Sequence, residues 1–329
     1  MRNAVIRSTG SYAPTRVLQN AYFDQLLEED VSTWLETNLK IKERRWCGEH
    51  ESTADLCVEA GRIALQNAGL EASDLDLIIV GTDTPEHISP STASAVQYRL
   101  AATNAGAFDL NAACSSFVAG LDVASRYLRS SPEFKHILVI GGYAMSRYLD
   151  KGDKKTVTLF ADGAGAVLLS SVESGSRGFL SAKHHTEGQF HEWMGIYAGG
   201  THYSVSQEAL ANGDQYFTFA RKFPKEKNAE TWTRMILSLC HQLAVEPNDV
   251  DHYFMTQINI NSIYETMDRL DVDRRKAYTI MERYAYTGAA CIPMALDEAA
   301  KNGTLKENDL IFMVTSGGGL SFAAAAFCY

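Results

Sequence analysis

The chain has 329 residues, 46% hydrophobic and 21% charged, with a formal net charge of −10 and a pI near 5.4. This is ample for a large core in one double-sized or two ordinary domains, and the acidic balance argues against a general nucleic-acid or anionic-membrane surface. No apolar run approaches the roughly 20 residues that span a bilayer, and the six cysteines (Cys47, Cys57, Cys114, Cys240, Cys291, Cys328) follow neither a metal-ligand spacing nor a disulfide framework, which fits a reducing cytosol.

The chain opens on MRNAVIRSTGSY, which lacks an apolar signal region and reads as a strand. Buried strands are predicted at Leu75–Gly81, Ala107–Leu110, His136–Ile140 and Gly165–Ser170. Between the second and third lies the most informative segment, Ala107 to Phe117. Its AFDL strand runs into the small-residue turn NAAC, and a helix follows with Phe117, Leu121, Ala124 and Leu128 on one face. Cys114 therefore stands where a strand hands over to a helix. The helix dipole and free N–H groups there favour a nucleophilic thiolate. The other reading is one more buried small hydrophobe, and the segment alone leaves both open.

The stretch Ala198–Lys227 interrupts the alternation with Gly, polar and aromatic residues and reads as a cap. Strands are predicted again at His252–Thr256, Lys276–Ile280, Leu310–Thr315 and Leu320–Phe327. Several motifs recur at one offset of 175: Asp76 with Asp251, Leu121-Asp122 with Leu296-Asp297, and the strand-glycine segments at Ile137 and Phe312. A common register implies two related α/β halves with mostly parallel sheets and ligand chemistry at their seam. Cys114 maps onto Ala289, so only one half carries the thiol.

Together these residues resemble the thiolase-like condensing enzymes, specifically the β-ketoacyl-acyl-carrier-protein synthase III family. The likeness runs through GSYAP (from Gly10), IKERRW (from Ile41), AACSSF around Cys114, FADGAGAVLL (from Phe160), TGAACIPMALDEA (from Thr287) and SGGGLSF (from Ser316). It implies a five-layered αβαβα fold of two pseudo-duplicated halves, residues 1–172 and 173–329, the second with a cap insertion near 185–227. It implies a homodimer, with a heterodimer as the variant. By the same resemblance an acyl group passes from coenzyme A or an acyl carrier protein to Cys114, and the backbone N–H groups of Cys114 and Gly318 hold the oxyanion. No cofactor is permanently bound and no metal is expected. In the DGAGA segment, Gly163 and Gly165 read as close packing rather than a nucleotide loop.

The family pattern breaks at two positions. Thr256 stands where the family has a histidine and Tyr286 where it has an asparagine, while Gln257, Asn259, Thr287, Ala289 and Ala290 hold the register. A hydroxyl is a poor base near pH 7, and each lost donor costs about 3–4 kcal/mol, so decarboxylative condensation is placed in doubt and acylation of Cys114 much less so. Three readings follow: a condensing enzyme with other helpers; an acyltransferase to an oxygen, nitrogen or sulfur nucleophile; or a non-condensing partner of an active homologue. Of the nine histidines, His87 ranks first as a substitute base; His184 and His185 are expected on a cap, and His252 is roughly 13 Å along its strand from Thr256. On the donor side the resemblance points to Trp34, Asn38, Lys154 and Asn259, with Asn38 and Asn261 standing where arginine is usual. The clusters Arg221-Lys222 with Lys225 and Lys227, and Arg274-Arg275-Lys276, would receive an acidic carrier protein or are solvated surface.

Overall fold

The computed structural model describes residues 2–173, 175 and 177–329; Met1 of the expected opening strand lies outside them. The first half supplies β1 (Arg2–Tyr12), α1 (Thr53–Ala68), β2 (Leu77–Gly81), α2 (Thr92–Leu100), β3 (Gly106–Leu110), α3 (Ser116–Ser130), β4 (His136–Ala144) and β5 (Asp162–Glu173). The second supplies β6 (Gly178–Phe190), α4 (Lys227–Leu243), β7 (His252–Met255), α5 (Ile260–Arg269), α6 (Cys291–Lys301), β8 (Leu310–Gly317) and β9 (Gly319–Cys328).

The strands form two sheets in the same order. One runs β1-β5-β4-β2-β3 and the other β6-β9-β8-β7. Helices α3 and α6 lie between the sheets; α1 and α2 cover one outer face, α4 and α5 the other. The expected five layers are thus present. Central strands such as β2 are buried along their whole length, as covered parallel sheets require. The Ser52–Asp55 capping box starts α1, and Gly69 at φ +66° ends it. A Cβ on Gly165 would lie 2.6 Å from the Met294 nitrogen, so this glycine lets β5 lie directly on α6.

The 175-residue offset has a physical basis in matched hydrogen bonds. Asp76 Oδ2 accepts the Lys135 N–H (2.6 Å) and Asp251 Oδ2 accepts the Leu310 N–H (2.8 Å), each fixing where a strand begins. The capping boxes Glu71–Asp74 and Glu246–Asp249 match likewise. The central helices are tied across the halves. Asp122 on α3 bonds His184 on β6 (3.1 Å), while Asp297 on α6 accepts from Thr9 (2.9 Å) and Ser11 on β1.

Four expectations need correction. The sheets are mixed and not mostly parallel: β2 runs parallel to β3 and β4, and β7 to β8, whereas the β1–β5, β5–β4, β8–β9 and β9–β6 pairs are antiparallel. Lys276–Ile280 is not a strand; it makes a short helical turn and one bridge, Ala277 to Tyr253, where the fifth strand of the second sheet would lie. β6 was not predicted at all, and it runs to Phe190, so the irregular cap begins after that residue and not near 185. His184 and His185 therefore sit on a sheet strand, where His184 serves the Asp122 clasp. No helix is long and apolar enough to cross a membrane, among the described residues.

Candidate active site

The turn after β3 is set by its own side chains. Asn111 Oδ1 accepts the Ala113 N–H (2.9 Å), Ser116 Oγ accepts the Ala112 N–H (2.8 Å), and Ala113 takes φ +49°. This sharp reversal places Cys114 two residues ahead of α3, only 5% exposed. The β8–β9 turn closes on it from the other half. A Cβ on Gly317 would stand 2.6 Å from the Cys114 nitrogen, so only glycine permits this approach. Gly318 lines the same cavity as the thiol.

That cavity measures about 340 Å³ and is walled by Asp83, Cys114, Tyr143, Tyr286, Phe160 and the cap residues around Met194. Tyr286 is held by its backbone: its N–H donates to the Leu159 carbonyl (3.1 Å) and its carbonyl accepts the Ala161 N–H (2.8 Å). Its ring packs on Phe160 and Tyr143, with centroids 5.5 and 6.4 Å away. The hydroxyl is within reach of the Cys114 sulfur and is the side-chain donor that favours its thiolate. Burial is the larger effect, and with the Asp83 charge it pushes the Cys114 thiol well above its ordinary range. The resting site favours a thiol, contrary to the expectation from the helix dipole, because burial and the nearby Asp83 carboxylate outweigh that dipole. Burial raises Tyr286 and Tyr143 likewise.

The other expected residues are dispersed. Thr256 does not line the cavity: its hydroxyl accepts the Ser316 N–H (3.0 Å) and leans on the Ser316 carbonyl (3.4 Å), knitting the end of β7 to β8. His87 is exposed on its loop and is absent from the cavity wall. Trp34 and Lys154 line a second cavity of about 400 Å³, separated from the first by the segment whose Leu159 faces one and Phe160 the other. Asn38 is one turn from Trp34, bonding its carbonyl (3.1 Å), and Asn261 reaches the Asn38 carbonyl (3.0 Å). Asn259 caps α5 through the Asn261 N–H (3.0 Å). Lys154 is paired with Glu29 (2.8 Å), so its charge is already met. Lys227 is likewise paired with Glu187, Arg274 with Asp268 and Arg275 with Asp273, which weakens both basic clusters. Among the described residues no group of three or more His, Cys, Asp and Glu is placed to hold a metal.

Sequence reasoning missed Asp83. It follows β2 in the run Thr82-Asp83-Thr84, lines the thiol cavity, and keeps a buried Oδ1 with no hydrogen-bond partner. A single acidic residue after a strand carries no spacing signal, and only the fold brings it beside Cys114.

A cysteine at the mouth of a central helix between two duplicated sheets defines the thiolase-like class, and the comparisons narrow it. The 3-oxoacyl-[acyl-carrier-protein] synthase III model matches residues 108–188, and its C-terminal counterpart matches residues 240–329. The β-ketoacyl-[acyl-carrier-protein] synthase III of Clostridioides difficile strain 630 is 36% identical over 326 residues, 98% of this chain and 97% of that protein. That of Ehrlichia canis strain Jake is 36% identical over 323 residues, 98% of each. The crystal structure of 3-oxoacyl-[acyl-carrier-protein] synthase III from Aquifex aeolicus VF5 superposes with a TM-score of 0.87 at 32% identity, covering 99% of this chain and 100% of that one. The chain belongs to the 3-oxoacyl-[acyl-carrier-protein] synthase III family.

Proposed function

We propose that this protein is an acyltransferase that carries its acyl group on Cys114 and delivers it to an oxygen, nitrogen or sulfur nucleophile. The donor is an acyl thioester of coenzyme A or of an acyl carrier protein. The observation that carries this reading is the wall of the Cys114 cavity. It holds a thiol beside Gly318, but a tyrosine takes the place of the family's asparagine, and the threonine in the histidine's place is turned away into β8.

In the first half-reaction the Cys114 sulfur attacks the thioester carbonyl. The oxyanion is met by the N–H groups of Cys114 and Gly318, which line the same cavity. In the second, the acceptor attacks the acyl-cysteine and Cys114 is released. No enolate forms, so the two missing donors are not required. Trp34 with Asn38, Lys154 and Asn259 marks the donor's approach. Because Glu29 already occupies Lys154, a carrier-protein thioester fits better than the free phosphates of coenzyme A. The unit is a dimer in a cytoplasmic compartment, with its two halves meeting near residue 172.

The test is intact-protein mass spectrometry with a panel of acyl thioesters. Cys114 gains the acyl mass and Cys114→Ala does not. A wild-type protein that takes no acyl group would favour the non-condensing partner reading, and one that condenses malonyl thioester at ordinary enzymatic rates would restore the plain synthase reading.

A further inference from the structure

Acyl transfer to a heteroatom needs a proton acceptor, and the cavity contains one that the sequence pattern does not advertise. Asp83 is aimed by its neighbours. The Thr82 N–H donates to the Leu110 carbonyl (3.2 Å), and the Thr84 N–H donates to Thr82 Oγ1 (3.0 Å). Thr84 Oγ1 accepts the Ala144 N–H (2.9 Å), and the Thr84 carbonyl accepts from Thr53 (2.5 Å). The flanking threonines are 2% and 1% exposed. The backbone on both sides is thus fixed to β3, β4 and α1, and the carboxylate is left facing the cavity. A buried polar oxygen without a partner is costly in a folded protein and calls for an explanation.

We propose that Asp83 is the general base of the Cys114 site, a reading that rests on the acyltransferase assignment above. In acylation Asp83 takes the Cys114 S–H proton as sulfur attacks the thioester carbonyl. The donor's C–S bond breaks and its thiolate leaves with the proton from Asp83. In transfer the acceptor X–H attacks acyl-Cys114, its proton passes to Asp83, the C–S bond to Cys114 breaks, and the thiolate recovers the proton. Both steps balance with no other reagent. A carboxylate beside the thiol opposes a second negative charge developing there as an enolate, which favours a heteroatom nucleophile as the acceptor.

Burial pushes the Asp83 carboxyl up to about 6, which leaves it ionised at neutral pH yet basic enough to accept a proton. The groups facing it are Cys114 from the β3–α3 turn, Tyr143 and Tyr148 from β4 and the turn after it, Tyr286, and His191 from the cap. The tyrosines and the thiol are held protonated, and His191 is 71% exposed beside Glu192.

The test follows acylation of Cys114 by hexanoyl-coenzyme A or a hexanoyl carrier protein, and its discharge to water with 1-butanol added, by mass spectrometry across pH 4.5–8. Wild-type discharge rises through about pH 6 and then levels. Asp83→Asn slows acylation and discharge by about 10²–10⁴-fold and loses that limb. Iodoacetamide alkylation of Cys114 moves the opposite way: it quickens in Asp83→Asn, because a negative charge that opposes thiolate is gone. Quicker alkylation with slower acyl transfer separates a base from a mere electrostatic neighbour and shows the site intact. Asp83→Asn transfer at the wild-type rate overturns the proposal while leaving acyl-Cys114 standing. Wild-type protein that forms no acyl-Cys114 from either hexanoyl-coenzyme A or a hexanoyl carrier protein overturns both. A limb that disappears in His191→Gln assigns the titration to the imidazole and also overturns it.

Discussion

Asp83 also makes a stability prediction that does not involve catalysis. Its carboxyl is pushed from 3.8 to about 6 by burial. At 1.36 kcal/mol per unit this is about 3 kcal/mol, and the residue's partial contact with the open cavity reduces the expectation to about 2 kcal/mol. Below pH 4 the group is protonated in both states and contributes nothing. Between about pH 4 and 6 the unfolded chain ionises and the folded one does not, so wild-type stability falls as pH rises. Above 6 the full penalty is present. Asp83→Asn removes it. Urea unfolding should therefore find the variant more stable than wild type by about 2 kcal/mol at pH 8, with the gap closing toward pH 4. A variant less stable than wild type at pH 8 would show that the folded protein stabilises the ionised carboxylate, and the cavity argument would be wrong.

Three further outcomes follow from the same geometry. Tyr286→Phe keeps the packing on Phe160 but removes the donor to the Cys114 sulfur; a bond to a charged group is worth about 1.5–3 kcal/mol, so iodoacetamide alkylation of Cys114 should fall roughly tenfold or more. Thr256→His with Tyr286→Asn should raise malonyl-thioester decarboxylation at least about tenfold, since two donors worth about 3–4 kcal/mol each are restored without being additive; the lost Thr256–Ser316 bond should lower urea stability by about 1 kcal/mol. Glu29→Gln frees Lys154, so KM for a coenzyme A thioester should drop about two- to fivefold, given the small worth of an exposed pair, while KM for an N-acetylcysteamine thioester, which lacks phosphate, stays put.

The fold was legible because its signals are local and repeated. Asp76 and Asp251 anchor their loops with the same bond, and that bond needs an aspartate at the same place in each half. β6 was missed because its outer stretch, Lys183 to Phe190, is mostly charged and polar, as an edge strand's exposed face permits. Lys276–Ile280 misled because Ala277 does touch Tyr253 in sheet fashion but pairs no further. At the site, the motifs pointed to Cys114, Gly318 and Tyr286, and these three line one cavity. Thr256 lay in the right register, yet a short side chain satisfies itself on the adjacent backbone instead of reaching the cavity. Asp83 could not be seen at all, since its meaning lies in the oxygen atom that nothing meets.

The crossed aspartate ties have a consequence for assembly. Asp122, in the first half, is completed by a histidine of the second; Asp297, in the second, is completed by Thr9 and Ser11 of the first. Asp297 is wholly buried. Were the polypeptide severed between β5 and β6, each carboxylate would keep one partner in its own piece, Arg126 for Asp122 and Lys301 for Asp297, and lose the others to the opposite piece. The ties that cross the halves would form only when the two pieces came together again. Each half thus holds one key to the other's clasp.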